Sequence, residues 1–147
     1  MEKDFRTGFI ILFFAIMLAT PAFAVLTDSS LKVFAGAPDG KALAAELILH
    51  IAPCTGQVWS SVSGPLVGTA TQSTEKIAVK IAKNYSQSVD HYDYFFTIQS
   101  NASVVDGPSA GSAMSLLVVS ALQDQRIPIN VGLTGTITNT GEVGPVG

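Results

Sequence analysis

The run Ala110 to Leu122 (AGSAMSLLVVSAL) is apolar almost all the way round a helical wheel. A helix of that kind has no face to give to water, so the rest of the chain has to cover it. Strands suited to that task lie before and after it. Leu43 to Ile51 (LAAELILHI) and Tyr92 to Gln99 (YDYFFTIQ) are rich in apolar, β-branched and aromatic residues, and Asn130 to Thr138 reads as a further strand. Val25 to Gly36 reads as an entry segment or first strand, followed by a turn at Asp39-Gly40. Gln57 to Ser63 alternates as a half-exposed strand. The turn at Pro53 to Gly56 predicts that it folds back on Leu43 to Ile51 as a hairpin, which Gly64-Pro65 ends.

Thr71 to Asn84 changes period. Ile77, Ala78, Ile81 and Ala82 share one helical face, and Lys76, Lys80 and Lys83 share the opposite, solvated one. Ser73 is the expected N-cap, with Glu75 in the first turn where the helix dipole favours it. Asn139-Thr140-Gly141 predicts a closing hairpin that leads to Val143. The resulting order, β-β-α-β-α-β-β, is an α+β layout of mixed strands with a buried helix.

With 13% charged residues and a net charge of −3, the chain is neither a disordered tail nor a nucleic-acid binder, which needs clustered Lys and Arg. Its one cysteine, Cys54, excludes an internal disulfide framework and a cysteine-rich zinc site. At the N-terminus, Phe9 to Ala19 is uninterrupted apolar sequence, followed by Thr20, Pro21 and Ala22-Phe23-Ala24. This has the form of a signal peptide over residues 1–24. The rival is a membrane anchor over residues 9–26, at the lower edge of a spanning length. Either predicts an extracytoplasmic protein, secreted or anchored, whose only membrane contact is that segment. Residues 25–147 then form the working domain. Asn84-Tyr85-Ser86 and Asn101-Ala102-Ser103 fit the glycosylation acceptor pattern, which is common by chance.

Asp106-Gly107-Pro108-Ser109-Ala110-Gly111 joins a strand to the apolar helix, with Ser109 where the helix begins. Glycines and proline force a tight turn that exposes the hydroxyl. The free N–H groups of the first helical turn suit a developing oxyanion. Ser109 is therefore either a nucleophile or an N-cap, and local chemistry leaves both open. A nucleophilic serine needs a base. Neither His50 nor His91 stands at a spacing that argues for a triad, and no lysine follows Ser109.

The six-residue string from Asp106 to Gly111 resembles the active-site signature of the Lon proteases. Ile127-Pro128, Leu133-Thr134-Gly135, Gly141-Glu142-Val143 and Gly144-Pro145-Val146-Gly147 follow the same family's order. The stretch upstream looks like the secreted archaeal Lon-like proteins that lack the ATPase module. The resemblance implies a Lon proteolytic fold and a serine endopeptidase with a Ser-Lys dyad, acting on polypeptides without a cofactor and without nucleic acid. Ser109 would be the nucleophile, Thr134 and Gly135 would support it, and Asp106, Gly107, Pro108, Ala110 and Gly111 would shape the site. Members often assemble into rings, so a homo-oligomer is implied. The family's base lysine stands in a Gly-Gly-x-x-x-Lys pattern, which here falls beyond Gly147. The expectation is thus a domain incomplete at its C-terminus and inactive in this form. The alternative is a Lon-fold interaction domain that has lost hydrolysis. Two departures bear on substrate preference: Thr136 stands where members often carry an acid, and Phe95 and Thr97 where some carry histidines. The chain has no Gly-rich Lys-Ser/Thr phosphate loop, so it does not drive unfolding with ATP.

Overall fold

The structure is a computed structural model that describes residues 27–36, 42–61 and 64–146. Strand β1 (Thr27–Gly36) pairs antiparallel with β2 (Ala42–Pro53), and β2 pairs antiparallel with β5 (Tyr92–Gln99). The short β3 (Val58–Ser60) runs parallel to β5 at the edge, giving a four-stranded sheet in the order β1-β2-β5-β3. Helices α1 (Thr69–Ala82) and α2 (Gly111–Leu122) pack on each other against one face of it. Two smaller ladders complete the fold. β4 (Leu66–Val67) lies parallel to β6 (Val104–Val105), and β7 (Thr136–Ile137) pairs antiparallel with β8 (Val143–Gly144). This is the α+β architecture expected.

The period-2 alternation of the strands sets the core. Leu31 and Val33, then Ala45, Leu47, Leu49 and Ile51, then Tyr94, Phe96 and Ile98 all point to the helices and are buried. They meet Met114, Leu117 and Val118, buried on α2, which is covered as its composition requires. Burial of one such Leu or Phe is worth about 1.5–3 kcal/mol. The buried Tyr94 hydroxyl donates to the Val89 carbonyl at 2.7 Å, which secures the short 3-10 turn before β5.

Four expectations are corrected. First, β3 does not form a hairpin with β2, because β5 lies between them. The Asp93 carboxylate accepts from the N–H groups of Thr55 (3.1 Å) and Gln57 (2.9 Å), and Cys54 N donates to the His91 carbonyl. The turn at Pro53 to Gly56 therefore wraps the end of β5, and this aromatic-rich strand takes a central position beside β2. Second, most of Asn130 to Thr138 is not strand. Gly132 makes a single bridge to Lys32, and the N–H of Gly135 goes instead to the Ser109 carbonyl. The closing hairpin turn does form, with Thr138 N bonded to Glu142 O and Gly141 at φ +92.

Third, α1 starts earlier than its period suggests, with Gly68 at the N-cap. Ser73 instead bonds back within the helix to the Thr69 carbonyl at 2.8 Å. Glu75 is then a mid-helix residue, 1% exposed, hydrogen-bonded to the Ser60 hydroxyl. Burial pushes its carboxyl up from 4.5 to about 7. The native state thus holds a proton between those values that the unfolded chain has released. Stability should fall as pH rises from 4.5 to 7, by on the order of 2–3 kcal/mol. Urea unfolding at several pH values checks this, and Glu75→Gln should remove that slope.

Fourth, the expected extracytoplasmic placement, secreted through a signal peptide or anchored by residues 9–26, is withdrawn. Among the described residues no helix is long and apolar enough to cross a membrane. The two helices have 14 and 12 residues, against about 20 needed to span a bilayer core. Residues 1–26, like the Asp39-Gly40 turn and Gly147, lie outside the described residues.

Candidate active site

The Asp106–Gly111 turn is held from three directions. β6 delivers it beside the start of α1, where Gly68 N donates to the Val105 carbonyl at 2.9 Å. Asp106 then accepts from the N–H groups of Ala70 (3.0 Å) and Thr71 (3.1 Å). It thereby caps a helix distant in sequence, the task Ser73 does not perform. The N–H groups of Thr71 and Gly107 in particular hold its carboxyl below the usual carboxylate range. Thr71 adds a second tie, with its hydroxyl donating to the Gly107 carbonyl at 3.1 Å. Gly107 sits at φ +119 with no atom within 4 Å of where a Cβ would be. Its requirement is conformational, not spatial.

Behind the turn, Thr134-Gly135 acts as a strap. Gly135 N donates to the Ser109 carbonyl at 2.7 Å, and Thr134 Oγ1 donates to the same oxygen at 3.2 Å. Ser112 N returns a bond to the Gly135 carbonyl at 2.9 Å. Ser109 is half-buried, and its hydroxyl takes part in no hydrogen bond among the described residues. The N-cap of α2 is Ala110, without a side-chain capping bond, so Ser109 is not spent on capping. Of the N–H groups offered by the first helical turn, Gly111 bonds to Pro108 and Ser112 to Gly135. Beside Ser109 a cavity of about 130 Å³ opens, with apolar walls that include Val33, Leu43, Ala45, Ile98 and Val105.

All eight residues singled out in the sequence therefore meet around this turn: Asp106, Gly107, Pro108, Ser109, Ala110 and Gly111, with Thr134 and Gly135 on the strap. His50 and His91 are not among its ties. His50 pairs with Asp28 across β1 and β2. The sequence reading missed Gly68 and Thr71, although a glycine just before a helical pattern was a usable signal. A Cβ on Gly68 would lie 2.1 Å from Asp106 Cγ. Gly68→Ala should expel that carboxylate and speed amide exchange at Ala70 and Thr71, as hydrogen-exchange mass spectrometry will read. Unchanged protection would show that Asp106 is not the cap.

Residues 68–147 match the Lon protease (S16) C-terminal proteolytic domain. The Lon protease of Helicobacter pylori (strain J99 / ATCC 700824) is 36% identical over 83 residues, covering 56% of this chain and 10% of that protein. The Lon protease of Vibrio parahaemolyticus is 30% identical over 124 residues, 67% of this chain and 16% of that one. The peroxisomal Lon protease homolog 2 of Pichia angusta is 30% identical over 105 residues, 64% and 11% respectively. The chain spans about a tenth to a sixth of the length of these relatives. They are bacterial and yeast proteins, and nothing in them supports the expected archaeal, secreted lineage. Because the match covers more than half of the chain and spans the cap, the Ser109 turn, its buried helix and the strap behind it, the chain belongs to the Lon protease (S16) C-terminal proteolytic domain family.

Proposed function

We propose that residues 25–147 are the proteolytic domain of a serine endopeptidase, with Ser109 as its nucleophile. The observation that carries this reading is a Ser109 hydroxyl left unengaged in a turn that is tied down through Asp106, the Gly107 carbonyl and the Ser109 carbonyl. Ser109 Oγ attacks the carbonyl carbon of a peptide bond and gives its proton to a neutral amine. The N–H groups of Ser109 and Ala110, at the head of α2, receive the oxyanion. Collapse of the tetrahedral adduct breaks the C–N bond. The leaving amine takes the proton from the base, and water then hydrolyses the acyl ester by the same route. Thr134 and Gly135 hold the Ser109 carbonyl, and Asp106, Gly107 and Pro108 set the turn. Ala110 keeps the approach to the hydroxyl open, and Gly111 lets the start of α2 pack closely against Ile137 and Thr74. The cavity beside Ser109 suits an apolar side chain of the polypeptide.

We assign the base to a lysine in the Gly-Gly-x-x-x-Lys pattern that follows the Gly144–Gly147 element in the family. Residues 1–147 carry no lysine after Lys83, so these residues by themselves are expected to cleave poorly. With no phosphate loop in them, the reading is of cleavage at unfolded or exposed segments. Labelling the full-length protein with a fluorophosphonate tests the assignment. Mass spectrometry should find the adduct on Ser109, and labelling elsewhere, or none alongside measurable peptidase activity, would sink it. A tightly folded substrate cut without added ATPase would sink the restriction to unfolded segments.

A further inference from the structure

A second cavity, of about 380 Å³, lies between β3, β4 and α1 and shares no lining residue with the one beside Ser109. Its walls include Val58, Trp59, Ser60, Leu66, Glu75 and Lys76. Two unmet needs converge on it. The first is main-chain. β3 is the last strand of the four-stranded sheet, and among the described residues nothing pairs with its outer edge. Tyr94 N bonds to Gln57 O and Ser61 N to Phe96 O, so the odd-numbered residues face β5. By the parallel ladder rule, Val58 and Ser60 direct their N–H and C=O groups away from it. The second is a side chain. Glu75 is 1% exposed, and its Oε1 has no hydrogen-bond partner among the described residues. A buried acceptor left in that condition is costly. Lys76, the cavity's other ionisable group, is exposed, so the buried ionisable group of the site is an acid, and an incoming ammonium would hold it as the carboxylate. Trp59 and Leu66 add exposed apolar surface, 52% and 71% open.

We propose that this edge is a second docking site for the polypeptide substrate, which adds as an extended strand along Val58 and Ser60 and brings a lysine side chain to Glu75. An extended chain supplies both missing sets of partners at once: main-chain groups for the edge and an ammonium for the carboxylate. Apolar neighbours of that lysine rest on Trp59 and Leu66. The site holds an unfolded segment away from Ser109, and so rests on the peptidase reading only for the source of its ligand.

Trp59 is the single tryptophan of residues 1–147 and reports directly on the site, with the Trp59→Phe protein as the blank for any other emission. The probe is acetyl-Val-Val-Lys-Val-Val-amide, titrated into the full-length protein carrying Ser109→Ala, with Trp59 emission as the readout. A saturable shift is expected, and the same peptide with norleucine for lysine should bind at least about tenfold more weakly. Glu75→Leu should abolish that preference. Val58→Pro removes only an outward-facing N–H, a substitution an edge strand tolerates, and should weaken both peptides. No saturable change, or equal affinity for the two peptides, overturns the proposal. So does a peptide-insensitive dimer in sedimentation, which would give the edge to a second copy of the chain. Binding that persists in a wild-type protein unable to cleave would instead count against the peptidase reading alone.

Discussion

Ser109→Ala is expected to lower kcat by about 10⁴–10⁶-fold in the full-length protein and to leave its Tm where it was. The two halves of that result come from different atoms of one residue. The turn is held through the Ser109 carbonyl, which accepts from Gly135 N and Thr134 Oγ1, and alanine keeps both bonds. The hydroxyl has no structural partner among the described residues, so its removal orphans nothing. An N-cap serine would behave in the opposite way, costing about 1 kcal/mol when replaced by alanine. Peptidase kinetics paired with thermal melts on the same preparations separate these cases. A drop in Tm with activity intact would return Ser109 to a capping role and leave the peptidase reading without its nucleophile.

Gly111→Val carries the largest expected loss of stability. A Cβ at Gly111 would stand 2.7 Å from Ile137 Cγ2, 2.9 Å from Ile137 N and 2.9 Å from Thr74 Cγ2. Side chains can turn aside, but the Ile137 nitrogen is backbone of β7, so the start of α2 has to separate from that strand. The overpacking is worth about 3 kcal/mol, which at this chain length lowers the Tm by roughly 10 °C. β7 follows directly on Gly135, so the strap on the Ser109 carbonyl should loosen as well, and activity should fall with stability. Gly107→Ala is the useful contrast. Its site is spacious, and only the strain of φ +119 is felt, about 1–3 kcal/mol. A Gly111→Val protein as stable as wild type would mean that α2 and β7 are not in the close contact described.

Much of the candidate site was legible because it is compact in sequence. Asp106 to Gly111 is one turn, and its glycines and proline announce a backbone that other residues adopt poorly. Thr134 and Gly135 were reached only through family resemblance. Nothing in their period says that they bond to Ser109 and not to a neighbouring strand, and reading Asn130 to Thr138 as a strand was the consequence. Glu75 shows the limit from the other side. Helical spacing places it correctly on α1, but a glutamate two residues after a serine N-cap candidate reads as a first-turn dipole partner. It is buried because it stands three residues before Ala78 and four before Val79, on the face that α1 turns to the core, where it meets the Ser60 hydroxyl.

What the sequence determined by itself was local. A helix apolar on every face had to be buried, the aromatic β-branched run had to be a strand, and the lysine face of α1 had to meet water. Each follows from side-chain period and solvation within one element. Only the tertiary structure decided the neighbours: β5 between β2 and β3, Asp106 as the cap of α1, and Gly135 bonded to Ser109 in place of a longer ladder. In each, groups far apart in the chain compete for the same hydrogen bond, and which one wins depends on the packing that brings them within reach.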